Sequence, residues 1–320
     1  PAFAEGGDPR FLLGTDSHTC TAGAFGMVST GIGNTDAGFV MGAGKLLLKV
    51  PASILFRIGG ELPRGVTAKD LILRIIGDLG VEGATYCAME FAGPAVTAMS
   101  IEERMTLCNM AIEAGAKNGI VAPDCKTEEY VRARTSRPYT IFASDPDAAY
   151  REIRNYDASG LVPVVALPFS PDKVQEAAAA GDIHLDRAYL GSCTGGKIGD
   201  FVMAAEILRG RQVKLDTFLV PATVEVERAF DTVRVGGQTL RAIFRAAGCQ
   251  EPAPPSCAAC LGGPPDTYGR CNGAETCIST TNRNFPGRMG GKDSRTILAS
   301  PYTVAAAAVA GKIIDPRELL

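Results

Sequence analysis

The chain has 320 residues and a formal charge of −3, with 46% hydrophobic and 21% charged residues. This length suits two or three domains, and this composition excludes a disordered chain. A nearly neutral charge argues against a nucleic-acid-binding protein, which needs a basic face. The sequence has no apolar run approaching the roughly 18 residues of a membrane span and opens with no export or transit signal. We therefore expect no membrane partner.

Strand and helix patterns alternate along the whole chain, which predicts an α/β fold. In the first half, the apolar run over residues 52–58 predicts a strand, and residues 67–79 predict a helix with one apolar face. Ser100 and Glu103 form a capping-box pattern. This pattern predicts that a helix begins there and runs over 101–116.

The second half follows a stretch rich in Pro, Asp, Ser and Ala, residues 136–160, which predicts a linker or a surface excursion. The later elements are predicted, in chain order, as a strand over 161–167, a helix over 172–180, a strand over 187–191, a helix over 197–209, a strand over 214–220 and helices over 223–233 and 238–247. The tract 250–270 is full of Pro and Gly and predicts a long loop. Long ordered loops are usually functional.

Ten cysteines occur in the chain, and its length and missing export signal argue against a disulfide framework. Cys257 and Cys260 form a C-x-x-C pair in the Pro/Gly-rich loop, a spacing that lets two thiolates reach one metal centre. The spacing alone leaves zinc, a redox pair and iron–sulfur open. A redox pair is disfavoured because the motif does not open a helix after an early strand. Zinc needs four ligands, and His184, one of two histidines, reads as a solvated loop residue.

Cys193 lies in YLGSCTGGK, where a predicted strand ends and a helix begins. In an open α/β sheet, ligands bind at this edge. Three thiolates from these two loops would leave one iron of a cluster without a protein ligand, and such an iron acts as a Lewis acid. Cys271 is a further possible ligand, but a structural or free thiol is the preferred interpretation.

Asp16, Ser17 and His18 follow the apolar stretch FLLG. A carboxylate, a hydroxyl and an imidazole at a strand end supply groups for acid–base chemistry. The alternative is a helix cap made by Asp16 or Ser17, and capping is compatible with a functional role.

Two further pairs of polar residues are candidates. Asn109 and Glu113 are four residues apart and so share one helix face; on its own this pattern is typical of a solvent-exposed polar stripe. Arg283 and Arg288 lie in TTNRNFPGR, and two arginines in an Asn/Gly/Pro-rich loop suit the recognition of carboxylates. The alternative is a pair of surface arginines.

Five stretches occur in a fixed order between residues 14 and 291: GTDSHTCTAGAFG, CNMAIEAGAKNG, YLGSCTGGK, PSCAACLGG and TTNRNFPGRMGG. Together they resemble the aconitase superfamily, and within it the large subunits of the isopropylmalate dehydratase and homoaconitase branch. The flanking segments KVPASILFRI and LASPYTVAAAAVAGKI are also similar, so the resemblance covers essentially the whole chain.

The resemblance implies a [4Fe–4S] cluster held by Cys193, Cys257 and Cys260, whose fourth iron binds the substrate. It further assigns catalytic roles to Asp16, Ser17, His18 and Glu113, with Glu113 as the partner of the histidine, and binding roles near the cluster or the substrate carboxylates to Asn109, Asn282, Arg283 and Arg288. The implied fold is an aconitase-like set of three α/β domains around the cluster. We place them at residues 1–50, the remainder of a first domain, 51–157 and 158–320, the last carrying the cysteines.

The implied reaction is the stereospecific dehydration and rehydration of a hydroxy di- or tricarboxylic acid. The first expectation for the substrate is 3-isopropylmalate, in leucine biosynthesis, with homoaconitase and citramalate- or dimethylmalate-type dehydratases as alternatives. In this branch the general base, a serine, lies on a swivelling domain that forms a separate small subunit. We therefore expect a heterodimer or heterotetramer and no turnover by this chain alone. The cluster needs reduced thiols, so we expect a cytoplasmic protein.

Two alternatives belong to other classes: a cluster-free RNA-binding regulator, which the charge disfavours, and a zinc-stapled non-catalytic relative. Three departures from the family are visible. Only fifteen residues precede Asp16, so Pro1 looks like an internal start, and the family's catalytic His-Asp pair is expected upstream of Pro1 in a longer chain. Ala258 replaces a usual Gly and is expected to cost backbone freedom. Cys193 is followed by Thr-Gly-Gly, where aconitases proper have Thr-Asn.

Overall fold

The computed structural model describes residues 11–320, and contacts between residues divide the chain into two compact units. One unit comprises the residues up to Leu62 together with Leu79–Gly160. The other comprises Pro63–Asp78 and Leu161–Leu320. The domain boundaries predicted from the sequence stay a prediction. Among residues 11–320, no helix is long and apolar enough to cross a membrane.

The first unit is built on parallel strands. Its strands are β1 (Leu12–Gly14), β2 (Ser29–Gly31), β3 (Ala52–Gly59), β4 (Cys87–Ala92), β5 (Asn118–Val121) and β6 (Glu152–Asp157). Its helices are a 3₁₀ helix (Ser17–Phe25), α1 (Asn34–Ala43), α3 (Pro94–Ala98), α4 (Ile101–Met110), a 3₁₀ turn (Ala111–Ala114) and α5 (Cys125–Arg132). The order β5-β4-β3-β6 forms one sheet, all parallel, and β1 pairs with β2. Apolar side chains such as Phe56 and Phe91 fill its core.

The predicted strand at residues 52–58 and the Ser100–Glu103 capping box are confirmed. Helix α4 ends at Met110, earlier than expected, and continues only as a 3₁₀ turn. The linker prediction for 136–160 is wrong at its end, because Glu152–Asp157 forms β6 beside β3. This edge strand lacks an apolar alternation, so its pairing with β3 decides its conformation.

The second unit is a mixed sheet with helices. Its strands are β7 (Val164–Ala166), β8 (Val174–Glu176), β9 (Arg187–Gly191), β10 (Asp216–Val220), the short pair β11 (Arg234–Val235) and β12 (Gln238–Thr239), β13 (Thr276–Ser279) and β14 (Arg295–Ala299). Its helices are α2 (Ala68–Leu79, except its last residue), α6 (Ser192–Gly195), α7 (Ile198–Leu208), α8 (Val224–Thr232), α9 (Leu240–Ala247) and α10 (Pro301–Ala310). The main sheet runs β10-β9-β13-β14-β7-β8, parallel as far as β14 and antiparallel beyond it.

Most predictions for this unit are confirmed, including the strand at 187–191 and the helix that begins after Thr67. The helix predicted over 172–180 is wrong, because Val174–Glu176 pairs with β7 and a 3₁₀ turn follows. The strand predicted over 161–167 is shorter, Val164–Ala166. The α/β class predicted from the sequence is confirmed.

Candidate active site

His18 is held in the first unit at the start of the 3₁₀ helix Ser17–Phe25. Asp16 caps this helix, and its Oδ1 accepts a hydrogen bond from the His18 backbone N–H at 2.7 Å. The His18 ring is buried, and its Nε2 lies 2.9 Å from Glu113 Oε1. Its Nδ1 faces Ser17 Oγ at 3.3 Å and Asp16 Oδ1 at 3.5 Å. Asp16 therefore caps the helix and also lies beside a candidate acid–base group.

Asn109 and Glu113 both face the 3₁₀ helix Ser17–Phe25. Asn109 Nδ2 donates to Thr21 Oγ1 at 2.8 Å, while Glu113 contacts His18. Both residues are buried, so the exposed-stripe interpretation is wrong. Their contacts lie about ninety residues away in sequence, which is why the local pattern is misleading.

Gly23 explains how this 3₁₀ helix approaches the sheet so closely. A Cβ at Gly23 would overlap the carbonyl oxygen of Gly119 in β5. Only glycine permits this approach, because it has no Cβ. Gly23 therefore allows the helix that carries His18 to pack directly against β5.

In the second unit, Cys193 follows a sharp change of backbone direction at the end of β9. Ser192 has φ +80°, a left-handed conformation that is uncommon for a residue with a side chain. Its Oγ accepts hydrogen bonds from the N–H groups of Thr194 and Gly195 at 3.3 Å each. These bonds compensate for part of the strain and place Cys193 in the first turn of α6.

Cys257 and Cys260 lie in the predicted loop, at the 3₁₀ turn Ala259–Leu261. Cys257 is exposed and Cys260 is buried. Ala258 has φ −59° and ψ −47°, an ordinary helical conformation. The expected cost of an alanine at this position is therefore wrong.

Asn282 connects two of the three cysteines. Its Nδ2 donates to Cys193 Sγ at 3.4 Å, and its Oδ1 accepts from Cys260 Sγ at 3.6 Å. Arg288 Nη2 lies 3.9 Å from the same Cys260 sulfur. Arg283 lies half-buried in the same loop, next to Asn282. The second unit thus brings together the predicted cysteines and the predicted Asn/Arg loop.

The pKa of the Cys260 thiol depends on its burial and on the charged and sulfur groups around it. Burial raises the pKa of Cys260 to about 11; the Arg288 guanidinium opposes this rise, and the neighbouring Cys193 and Cys257 sulfurs add to it. Metal binding requires the thiolate form. Arg288 therefore lowers the free-energy cost of deprotonating a thiol that burial keeps protonated.

The arrangement of the candidate ligand side chains indicates which kind of metal centre fits this unit. Among residues 11–320, no group of three or more His, Cys, Asp or Glu side chains is arranged to hold a single metal ion. In a [4Fe–4S] cluster each cysteine binds a different iron, so the thiolates need not converge on one point. Arg288 Nε and Tyr189 Oη are among the buried side-chain atoms of this unit that have no hydrogen-bond partner in the described part of the chain. The three cysteines fit a cluster better than a zinc ion.

Other predicted candidates fall outside this group. His184 is 84% exposed and lies 3.1 Å from Asp186 Oδ1, which confirms a solvated loop histidine. Cys271 is buried in an apolar cluster with Cys277 and Met289, the placement of a structural thiol.

Two residues that the sequence analysis missed organise the Asn/Arg loop. The buried Lys69 donates from Nζ to the carbonyl oxygens of Thr280 at 3.2 Å and Thr281 at 2.7 Å. The Thr280 hydroxyl accepts from Gly191 N–H at 2.9 Å and lies 3.1 Å from Gly195 O. A lysine and a threonine carry no sequence signal of their own, because only their distant partners distinguish them from surface residues.

Thr280 also explains the Thr-Gly-Gly departure after Cys193. A Cβ at Gly195 would overlap the Cβ of Thr280. The space that an asparagine side chain would need at position 195 is therefore filled in this chain by Thr280.

Comparison with known proteins identifies the class. A family model described as "Aconitase family (aconitate hydratase)" matches residues 7–311, and the chain belongs to this family. The resemblance predicted from the five motifs is thereby confirmed.

Three relatives show how similar the chain is to particular proteins. The chain is 56% identical over 314 residues to the 3-isopropylmalate dehydratase large subunit, chloroplastic, of Arabidopsis thaliana, covering 97% of this chain and 62% of that protein. It is 46% identical to the 3-isopropylmalate dehydratase large subunit of Heliobacterium modesticaldum, covering 96% of this chain and 72% of the relative. It is 43% identical to the probable methanogen homoaconitase large subunit of Methanosarcina mazei, covering 97% and 77%. The chain thus spans less than two thirds of the length of its Arabidopsis relative.

Proposed function

We propose that this chain is the catalytic large subunit of a [4Fe–4S] hydro-lyase that dehydrates and rehydrates 3-isopropylmalate. The observation that carries the proposal is the Asn282 amide, which joins the Cys193 and Cys260 sulfurs into one site. The names of the Arabidopsis and Heliobacterium relatives support the substrate. The name of the Methanosarcina relative makes homoaconitase the second candidate.

Cys193, Cys257 and Cys260 would hold the cluster. When bound, the cluster supplies a Lewis-acid iron for a substrate hydroxyl. Arg288 and Arg283 bind substrate carboxylates, since a guanidinium matches a carboxylate with two parallel hydrogen bonds. The buried Nε of Arg288 has no hydrogen-bond acceptor among residues 11–320 and is available for such a bond.

His18 and Glu113 serve proton transfer in this proposal. The Glu113 carboxylate fixes the His18 ring through Nε2 and stabilises its protonated form. His18 then holds a proton at Nδ1, next to Ser17 and Asp16. These groups supply the acid–base assistance that departure of a hydroxyl requires.

A small subunit completes the enzyme. The words "large subunit" in the relatives' names support such a partner. We propose that it carries a swivelling domain with the general-base serine, in a heterodimer or heterotetramer. We also propose that the protein works in a reducing compartment, with the cytoplasm as the first candidate. The Arabidopsis relative is named chloroplastic, which makes the chloroplast the second candidate. Imaging of the tagged native protein distinguishes these two locations.

The first test is anaerobic reconstitution of the chain with iron and sulfide, followed by metal analysis, visible absorption and EPR. We expect about four irons per chain and loss of the centre in a Cys193→Ser, Cys257→Ser, Cys260→Ser variant. A Cys125→Ser, Cys249→Ser variant is the matched control, because these cysteines lie outside the Asn282 site. Uptake of zinc alone, or equal loading of the triple variant, would refute the cluster.

The second test adds the small subunit and compares 3-isopropylmalate, homocitrate and citramalate as substrates. Preference for 3-isopropylmalate supports the proposal, and preference for homocitrate replaces it with homoaconitase. RNA binding by the unloaded chain, with no turnover of any acid after loading, would favour the regulatory alternative.

A further inference from the structure

Tyr189 lies in β9, four residues before Cys193, and is fully buried. Two glycines confine its ring. A Cβ at Gly191 would lie 2.8 Å from Tyr189 Cε1, and a Cβ at Gly269 would lie 2.9 Å from Cε2. Real Cβ atoms do not approach other atoms so closely. The Tyr189 ring therefore occupies the space that side chains at positions 191 and 269 would need, and both of its edges are closely packed.

The hydroxyl of Tyr189 is the unusual part of this arrangement. Its Oη is buried and has no hydrogen-bond partner among the described residues. The ring packs in an apolar cluster with Ala259 and Cys277. Ala259 lies inside the C-x-x-C pair. A buried hydroxyl without an acceptor destabilises a protein, and a phenylalanine would avoid this cost.

The surroundings of the hydroxyl contain sulfur. Burial, together with the nearby Cys260, Cys277 and Cys257 sulfurs, holds the pKa of Tyr189 well above its usual value. The buried hydroxyl, which has no acceptor among the described residues, is available as a donor. Thiolate and sulfide sulfurs accept a hydrogen bond from a fixed O–H better than a neutral thiol does, because they carry negative charge.

We propose that the Tyr189 hydroxyl donates a hydrogen bond to a sulfur of the iron–sulfur centre, the Cys257 or Cys260 thiolate or an inorganic sulfide. This inference rests on the proposed cluster. Hydrogen bonds to sulfur stabilise the more negative, reduced state and so raise the reduction potential. Tyr189 thus adjusts the reduction potential of the iron–sulfur centre and does not contact the substrate.

The test compares Tyr189→Phe with Tyr268→Phe in the reconstituted chain. Tyr268 is the matched control because its hydroxyl already donates to Glu251 O at 2.7 Å and faces Leu219 N–H at 3.4 Å. We expect Tyr189→Phe to bind about four irons like the parent. Its midpoint potential should shift to a more negative value, and its cluster should be lost several-fold faster in air. Tyr268→Phe should match the parent in both.

Pulsed EPR of the reduced cluster in D₂O gives a direct readout. The parent should show an exchangeable deuteron coupled to the cluster that Tyr189→Phe lacks and Tyr268→Phe keeps. The unloaded Tyr189→Phe chain should have a Tm no lower than the unloaded parent, since the variant loses no hydrogen bond to residues 11–320. Equal potentials and equal deuteron couplings in a fully loaded Tyr189→Phe would overturn this inference alone. A parent that binds no iron would overturn the proposed function itself.

Discussion

His18 Nε2 lies 2.9 Å from Glu113 Oε1, although the two residues are 95 positions apart in the sequence. The pair is buried between the 3₁₀ helix Ser17–Phe25 and the 3₁₀ turn Ala111–Ala114, which follows α4 without a break. A buried carboxylate fixes the orientation of an imidazole and favours its charged form. This contact is the partnership that the family resemblance implied.

Glu113→Gln should therefore impair catalysis and leave the fold intact. Glutamine retains the size and a hydrogen-bonding oxygen but removes the charge that stabilises protonated His18. We expect kcat to fall about 100-fold with unchanged iron content, measured with the small subunit present. Glu129→Gln, at an exposed position on α5, is the control. A kcat equal to that of the control would show that the pair is only structural.

Lys69→Met should weaken the loop that carries Asn282. The variant leaves the Thr280 and Thr281 carbonyl oxygens without their ammonium donor. We expect unfolding to become easier by about 2 kcal/mol and iron uptake to fall, because Asn282 follows directly. Urea unfolding and metal analysis measure the two effects. Lys173→Met is an exposed control in the same unit, and indistinguishable results for the two variants would argue against this role of Lys69.

Arg288→Lys should separate substrate binding from cluster assembly. Lysine keeps the positive charge near Cys260 but loses the planar fork that binds a carboxylate. We expect KM to rise about tenfold or more and the iron content to stay at the parental level. Arg295→Lys, at an exposed position in β14, provides the comparison. An unchanged KM for Arg288→Lys would exclude the residue from carboxylate binding.

Gly195→Ala should disturb the Cys193 turn, because the added Cβ would overlap Thr280. Overpacking of this kind costs about 1–3 kcal/mol, and the displaced turn should also reduce iron loading. The matched control is Gly273→Ala, where an added Cβ meets nothing within 4 Å. Thermal unfolding of both variants checks the prediction. A Gly195→Ala chain that melts and loads iron like Gly273→Ala would contradict it.

Asp124 should give the first unit a specific acid sensitivity. Its two carboxylate oxygens accept from the fully buried Arg104 at 2.8 and 2.6 Å, and this contact lowers the pKa of Asp124 from 3.8 to about 2. The folded-state pKa lies below the unfolded one. The stabilisation is therefore complete above about pH 4 and is lost as the pH falls towards 2.

We expect this pH-dependent part to amount to about 2 kcal/mol. Asp124→Asn should remove it, so the difference in unfolding free energy between parent and variant should shrink from pH 5 to pH 2. Glu128→Gln, which removes the more exposed pair with Arg132 on α5, should cost less than about 1 kcal/mol. A parent–variant difference that stays constant down to pH 2 would contradict the assignment to Asp124.

The sequence by itself determined the family and much of the local structure. The five motifs are continuous stretches, so they could be recognised without any knowledge of the fold. The Ser100–Glu103 capping box and the strand Ala52–Gly59 also depend on neighbours a few residues away. Local hydrogen bonds and apolar patterns of this kind are written directly in the order of the residues.

Only the tertiary structure decided which polar residues are buried and what they contact. The sequence pattern of Asn109 and Glu113 predicts an exposed polar stripe, but in the fold the 3₁₀ helix Ser17–Phe25 covers both residues. Glu152–Asp157 becomes a strand because β3 offers a free edge. Lys69 matters because residues more than two hundred positions away need its donors. Burial and long-range hydrogen bonds depend on which distant segments pack together, and no local sequence pattern encodes that packing.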